Sequence, residues 1–358
     1  MTQEKEPIIF SIGGGKGGVG KSMVSANLAV QYAQAGLKVI LLDLDFGAAN
    51  IHTIFGIRQP KAGLGNYFTS PKTHLSDYVL DTNIKNLQIV PGSGFVPELA
   101  NLKYFQKVKL VRHIRQLDAD LVLLDLGAGS SYNVIDFFSM SHASIIVTSP
   151  EPTAIVNAYE FLKNVVYRVL FRMFRNQDEI LEIIKASTVP QNTYDIASID
   201  DLIKVIGKKE PWIAEQIQEL CNSLDFYVVF NQARNAENAR LGSKLQEICQ
   251  RYLHLKLNYS GIIFHNEEVS ASIFKMSPIS VHLPDSITSQ VLQRISIQIF
   301  NQVAQKMLKG QNNESFEDQL NRVLSHAKKD YAQNLLTQRR IQREIDRSKF
   351  VNNSSLNH

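Results

Sequence analysis

Short apolar runs alternate with helical stretches along most of the chain. Ile8 to Ile12, Leu37 to Leu42, Leu87 to Val90, Asp120 to Asp125, Ala143 to Ser149, Phe226 to Phe230 and Asn258 to Phe264 are apolar with little alternation. Runs of this kind mark strands covered on both faces, as in a parallel sheet. Between the first two, Met23 to Ala35 carries Val24, Leu28 and Tyr32 at four-residue spacing, a buried helical stripe, and Gly36 suits the position just past its end. Residues 58 to 82 read as loop with one short helix. Lys103 to Leu117 is an amphipathic helix with Lys and Arg on its open face, a solvated face by its pattern. Pro150 to Ile155 opens another helix, with proline and acid in the first turn, and Ile287 to Leu308 reads as a final core helix. Strands alternating with helices predict an α/β fold: a doubly wound, mostly parallel sheet with helices on both faces.

Two stretches depart from this alternation. Val165 to Trp212 holds no strand pattern. It predicts two helical stretches, about 165–186 and 199–222, joined by the polar segment Thr188 to Ser198, and so a helical insertion over about 166–222. Tyr167, Arg168, Arg172, Phe174 and Arg175 make its first part basic and aromatic. Extra packing against the core and a partner or lipid surface both account for that pattern. The second stretch follows Gly310. Leu320, Val323, Leu324, Ala327, Tyr331 and Leu335 recur every three or four residues, then Arg339, Arg340, Arg343, Arg347 and Lys349 make the end strongly basic. Residues 1–309 are therefore expected to form one domain, and 310–358 a basic helical C-terminal tail. Membrane targeting, association with a partner or a second copy, and disorder stay open for the tail.

Composition changes this picture little. The 358 residues are 44% hydrophobic, ordinary for a globular protein. No apolar run approaches the roughly 18 residues of a membrane-spanning helix. The start, Met1 to Glu6, is polar and unlike a secretory leader. The two cysteines, Cys221 and Cys249, form no C-x-x-C pair, and a reducing cytoplasmic compartment is the expectation. A net charge of +4 is too mild to imply nucleic-acid binding.

The chemistry concentrates where the first strand meets the first helix. Gly15 to Ser22 satisfies the phosphate-loop pattern G-x-x-x-x-G-K-[ST] in its strand–loop–helix context. Gly15, Gly17, Gly18 and Gly20, with Val19 between them, let successive backbone N–H groups turn inward, and the helix start adds its own unpaired N–H groups. Lys21 is placed to reach the β- and γ-phosphates, and the Ser22 hydroxyl to sit on Mg²⁺. Asp43 and Asp45 end the second strand beside this loop, candidates for Mg²⁺ or water positioning. Asp125 ends a third strand ahead of Gly127 and Gly129. It is the second carboxylate such a site needs, holding Mg²⁺ partly through water, and the glycines leave the next loop free to respond to the γ-phosphate.

Lys16, near the start of Lys16-Gly-Gly-Val-Gly-Lys-Ser22, makes the loop resemble the deviant phosphate loop of the MinD/ParA class of ATPases. Asp43-Leu-Asp-Phe-Gly-Ala-Ala-Asn-Ile51 is similar to the segment after the second strand in MinD and FlhG, and Ser149 to Ile155 with Ala158-Tyr159 is similar to FlhG-type proteins. The closing Pro278-Ile279 and Pro284-Asp285-Ser286 also match. The resemblance covers about residues 7–165 and 225–308. It implies that Lys16 reaches across a dimer interface to the partner's nucleotide and acts in catalysis with Lys21 and Asp45, Asp45 orienting the attacking water. It further implies that Asp43 supports the Mg²⁺ shell, that Asn50 lies at the dimer face and that Asn231 recognises adenine. His265-Asn266-Glu267 stands where the family commonly has Pro-x-Asp. Only six polar residues precede the first strand, so the activator segment of FlhG proteins is not expected.

By this resemblance the chain is an ATP hydrolase with ATP and Mg²⁺ as cofactors, slow until a protein partner stimulates it. It would be a homodimer when ATP-bound and cytoplasmic, with peripheral contact of the tail to the inner membrane face as one of the open alternatives. It would control the placement or number of a cellular structure such as flagella or the division site. A ParA-like protein that partitions cargo through nonspecific DNA binding is the alternative. Iron–sulfur carriers share the loop but need bridging cysteines that this chain lacks.

Overall fold

A computed structural model describes residues 6–70, 73–92, 102–309 and 336. Its centre is an eight-stranded sheet in the order β3-β4-β2-β5-β1-β6-β7-β8. The strands are β1 (Ile8–Gly13), β2 (Val39–Leu44), β3 (Leu80–Asp81), β4 (Leu87–Val90), β5 (Leu121–Leu126), β6 (Ala143–Thr148), β7 (Phe226–Ala233) and β8 (Leu257–Phe264). All pairs are parallel except β3 with β4. The seven apolar runs are the seven parallel strands. The two-residue β3 adds an antiparallel edge where the pattern predicts loop, because two residues are too short for any periodicity to show.

The helices are α1 (Lys21–Gln34), α2 (Ile51–Ile54), α3 (Leu64–Thr69), α4 (Tyr104–Arg115), α5 (Tyr132–Phe138), α6 (Pro152–Met173), α7 (Asp178–Ala186), α8 (Ile199–Gly207), α9 (Pro211–Ser223), α10 (Leu241–Leu253), α11 (Glu267–Phe274), α12 (Ile279–His282) and α13 (Ile287–Lys309). One sheet face is covered by α1 and α13, whose Val24, Leu28, Leu292 and Ile299 are fully buried against Phe10 and Ile12. The other face is covered by α4, α5 and α6. The doubly wound architecture is therefore as the pattern predicts.

α1 is buried on far more than one stripe, because α13 lies across the side that a surface helix would leave wet. Two of its buried polar residues find partners inside the fold. Asn27 donates to the Met23 carbonyl and accepts from the Ser280 N–H, and the Tyr32 hydroxyl donates to the Ser296 carbonyl.

The insertion corrects the sequence reading. Its first part is a continuation of α6, which runs unbroken to Met173, and α7, α8 and α9 follow where two stretches were expected. Pro211 splits the second stretch, since its fixed φ and missing N–H suit the first turn of a new helix. Ile183, Ile199, Leu202 and Ile217 are buried in one core with Val165, Val228 and Leu245 of the sheet domain. The basic, aromatic segment packs inward as well. Tyr167 and Phe174 are buried, and Arg168 and Arg172 turn onto Asp136 of α5 at 2.8 and 3.8 Å. Extra packing is the reading the structure favours there. The expected tail, 310–358, lies outside the described residues apart from Leu336.

Candidate functional site

Parallel strands place all their carboxyl ends on one edge of the sheet, and the loops leaving β1, β2, β5, β6 and β7 meet there. The glycine loop from β1 is shaped by contacts that exclude side chains. A Cβ at Gly14 would come within 2.6 Å of the Val147 carbonyl oxygen, and one at Gly15 within 2.2 Å of the Asn157 carbonyl oxygen on α6. Gly18 and Gly20 have φ of 77° and 90°, which L side chains rarely adopt. α1 begins directly at Lys21, so its first N–H groups open towards this cradle. The residues fit a bound phosphate chain.

Lys21 is buried beside the loop. Burial lowers its ammonium pKa, and the charges of Asp125 and Asp45 work against that lowering. Asp125 is fully buried at the end of β5 and accepts hydrogen bonds from Ser22 and from Ser25, the latter at 2.7 Å. Burial raises its carboxyl, while the two serines and Lys21 counter the rise. Ser22, Asp125 and Lys21 are thus brought together as expected. Ser25 was missed. It lies one helical turn beyond Ser22, and that i, i+3 spacing is the signal that could have found it.

Asp43 sits next to Asp125 on adjacent strands, in direct register. Burial, and then the charge of Asp125, push its carboxyl up. Both of its oxygens are occupied by backbone: Oδ1 accepts from Asp45 N–H at 3.2 Å and Oδ2 from Ile51 N–H at 3.1 Å. The geometry makes Asp43 the organiser of the loop that carries Asp45 and Asn50. Asp45 Oδ1 accepts from the N–H groups of Gly47 and Ala48 at 3.2 and 3.1 Å, and its carboxylate touches Gly127, where a Cβ would lie 3.2 Å away. The β5 loop is tied in turn to the phosphate loop, Gly129 N–H donating to the Gly14 carbonyl at 3.3 Å. Asp45 is therefore linked to the phosphate loop through the loop of Gly127 and Gly129.

Lys16 stands at the mouth of the loop with its ammonium on the first turn of α6. It donates to Glu151 Oε2 at 2.7 Å and to Thr153 Oγ1 at 3.2 Å. The hydrogen bond and charge of Lys16, with Arg234 nearby, hold the Glu151 carboxyl below its usual value. Nothing in the loop motif points to Glu151 or Thr153, since the pairing is made across the fold.

Asn231 is buried, and its side-chain amide donates to the Val19 carbonyl at 2.8 Å. It lies within β7, which runs on to Ala233, three residues past the expected strand end at Phe230. Part of the amide that the resemblance assigns to adenine is thus spent on the phosphate loop. His265 extends the β7–β8 pairing through its N–H to the Ala233 carbonyl, and Asn266 caps α11 through the Glu268 N–H.

Among the described residues no group of three or more His, Cys, Asp and Glu is placed to hold a metal ion. Ser22 with Asp125 supplies the hard oxygen donors that suit Mg²⁺ carried in on a nucleotide, so the site fits that ion. Cys221 and Cys249 are buried, and burial pushes both thiols up to about 12, so neither is a reactive thiolate.

Fold and site together define a phosphate-loop nucleotide-binding protein. A family model described as CbiA, the CobQ/CobB/MinD/ParA nucleotide binding domain, matches residues 10–279, and the chain belongs to that family. Antiactivator FleN of Pseudomonas aeruginosa is 26% identical over 291 residues, covering 80% of this chain and 84% of FleN. Flagellum site-determining protein YlxH of Helicobacter pylori is 32% identical over 201 residues, 55% of this chain and 63% of YlxH. Among solved structures, the septum site-determining protein MinD complexed with Mg-ADP from Pyrococcus horikoshii superposes with a TM-score of 0.56 at 17% identity, covering 82% of this chain and 96% of that one. The resemblance read from the motifs is thus borne out at the level of family and fold.

Proposed function

We propose that this chain is a MinD/FlhG-like ATPase that switches between monomer and ATP-bound homodimer, and that the switch controls where or how many flagella, or a similar structure, are built. The observation that carries the reading is Lys16 beside a complete phosphate loop, a second cation with an evident use on a transferring phosphoryl group. YlxH, a flagellum site-determining protein by name, supports the cellular role.

Lys21 and the N–H groups of Gly15 to Ser22 hold the phosphates, while Ser22 and Asp125 would hold Mg²⁺, which would supply neutralising positive charge there. Asp45 orients the attacking water. Lys16 leaves Glu151 and crosses to the partner's nucleotide, so hydrolysis depends on dimerisation and stays slow until a protein partner stimulates it. The tail, 310–358, serves the membrane or the partner. No helix among the described residues is long and apolar enough to cross a membrane. A ParA-like role on DNA loses one support, because Arg168 and Arg172 of the basic helix face Asp136.

Light scattering tests the switch. ATP is expected to dimerise Asp45→Ala stably, and Lys16→Ala to abolish hydrolysis while still binding ATP. A chain that binds ATP and remains monomeric in both backgrounds would refute the dimer mechanism. Flotation of the Asp45→Ala dimer with anionic vesicles separates a membrane role of the tail from a protein one.

A further inference from the structure

The end of β7 sends two consecutive side chains to one place. Asn231 donates to the Val19 carbonyl at 2.8 Å, and Gln232 Nε2 donates to the Gly18 carbonyl at 3.1 Å. Neighbouring residues of a regular strand point to opposite faces. Here the pairing of β7 with β8 shifts register between Phe230 and Ala233, and Gln232 takes a left-handed φ of 61°. That conformation is uncommon and strained for glutamine. The irregularity is what lets both amides reach the loop.

The two carbonyls they hold belong to the middle of the phosphate loop. A peptide whose carbonyl is fixed outward presents the N–H of the next residue inward. Holding Gly18 and Val19 carbonyls therefore aims the N–H groups of Val19 and Gly20 at the cradle. Gly20 confirms how close the brace is: a Cβ there would lie 2.2 Å from Asn231 Nδ2. Asn231 is buried and Gln232 exposed, so the brace has a fixed inner half and an outer half open to solvent.

We propose that Gln232 is a positioning residue for nucleotide binding: its side-chain amide, with that of Asn231, presets the phosphate loop in its anion-receiving shape, and the strained backbone at Gln232 is retained for that purpose. The proposal rests on the reading of Gly15 to Ser22 as a working phosphate loop.

Gln232→Gly separates the strain from the brace, because glycine adopts this φ freely and carries no amide. Gln232→Met keeps the length and the strain but removes the donor. Binding of a fluorescent ATP analogue with Mg²⁺ and the melting temperature of the nucleotide-free protein are measured for the wild type and both variants. Loss of one such hydrogen bond predicts dissociation constants about three- to tenfold weaker for both variants. The nucleotide-free Gln232→Gly protein should melt at or above the wild-type temperature, a combination that a merely structural role does not produce. Nucleotide affinity within twofold of wild type in either variant would overturn the proposal. So would a Gln232→Gly protein whose melting temperature falls together with its affinity. A wild type that fails to bind the analogue refutes the phosphate-loop reading itself, a result distinct from either.

Discussion

Lys16 Nζ lies 2.7 Å from Glu151 Oε2 of the same chain, with Thr153 Oγ1 as a second acceptor. The pair is exposed, and exposed ion pairs add little to stability. Its consequence is positional, for the ammonium that the proposed mechanism sends to a partner's nucleotide is here held at home. Glu151→Ala should free it. The expected outcome is an unchanged melting temperature and a faster or tighter ATP-dependent dimerisation in light scattering, with the largest gain at low salt. A Glu151→Ala protein that dimerises no more readily than wild type would show that the tether does not restrain the switch.

Two glycines make the cradle dependent on its neighbours. Gly15→Ala sets a methyl 2.2 Å from the Asn157 carbonyl of α6, and Gly20→Ala sets one 2.2 Å from Asn231 Nδ2 at a φ of 90°. Backbone must move in the first case, and a buried amide in the second. Each substitution is expected to cost about 1–3 kcal/mol of stability and to abolish nucleotide binding measurable by isothermal calorimetry in the micromolar range. Gly18→Ala, with nothing within 4 Å, should bind more weakly than wild type but survive better than either.

Ser25 supports the buried Asp125 from within α1. Ser25→Ala removes a hydroxyl 2.7 Å from a carboxylate that water does not reach. A hydrogen bond to a charged buried group is worth about 1.5–3 kcal/mol, so chemical denaturation of the nucleotide-free protein should show a loss of that order. Addition of Mg²⁺ and nucleotide should recover part of it, because the ion then compensates Asp125.

Asp136 ties α5 to α4 and α6 by accepting from Lys107 at 2.6 Å and Arg168 at 2.8 Å. Burial alone would raise its carboxyl, but the hydrogen bonds from Arg168 and Lys107 outweigh burial and hold it below the ordinary value. A depressed folded-state pKa contributes stability above the unfolded value of about 3.9, lost as pH falls through the folded value. Asp136→Asn should therefore cost about 2 kcal/mol at pH 7, between the roughly 0–1 kcal/mol of an exposed pair and the roughly 3–5 kcal/mol of breaking a buried one. The difference from wild type should shrink below about pH 4. Equal urea midpoints for the two proteins at pH 7 would contradict this account.

Several features were legible from local pattern because their causes are local. Seven apolar runs became seven parallel strands, since burial on both faces leaves no room for polar alternation. Gly15 to Ser22 read as a phosphate cradle because the turn needs glycine at fixed offsets, and Ser22, Lys21 and Asp125 came together where the strand ends predicted. The family followed from the same residues. The roles of the individual site residues rest on the proposed function and its tests.

Other features were decided by the tertiary structure. The partners of Lys16 are 135 and 137 residues away in sequence, and Asn231 reaches Val19 across 212. No periodicity encodes such contacts, which exist only because parallel strands deliver their carboxyl ends to one edge of a sheet. The basic face of α6 suits packing or a partner surface by its pattern, and only the fold sets Asp136 opposite Arg168, for a charge pattern on one helix cannot show what faces it. Asp43 was placed at the right strand end, yet only the fold shows both its oxygens spent on the N–H groups of Asp45 and Ile51. Chain chemistry alone determined the sheet and the cradle. The holding of Lys16, the bracing of the loop and the inward turn of the insertion are contacts between distant segments, and those arise from packing.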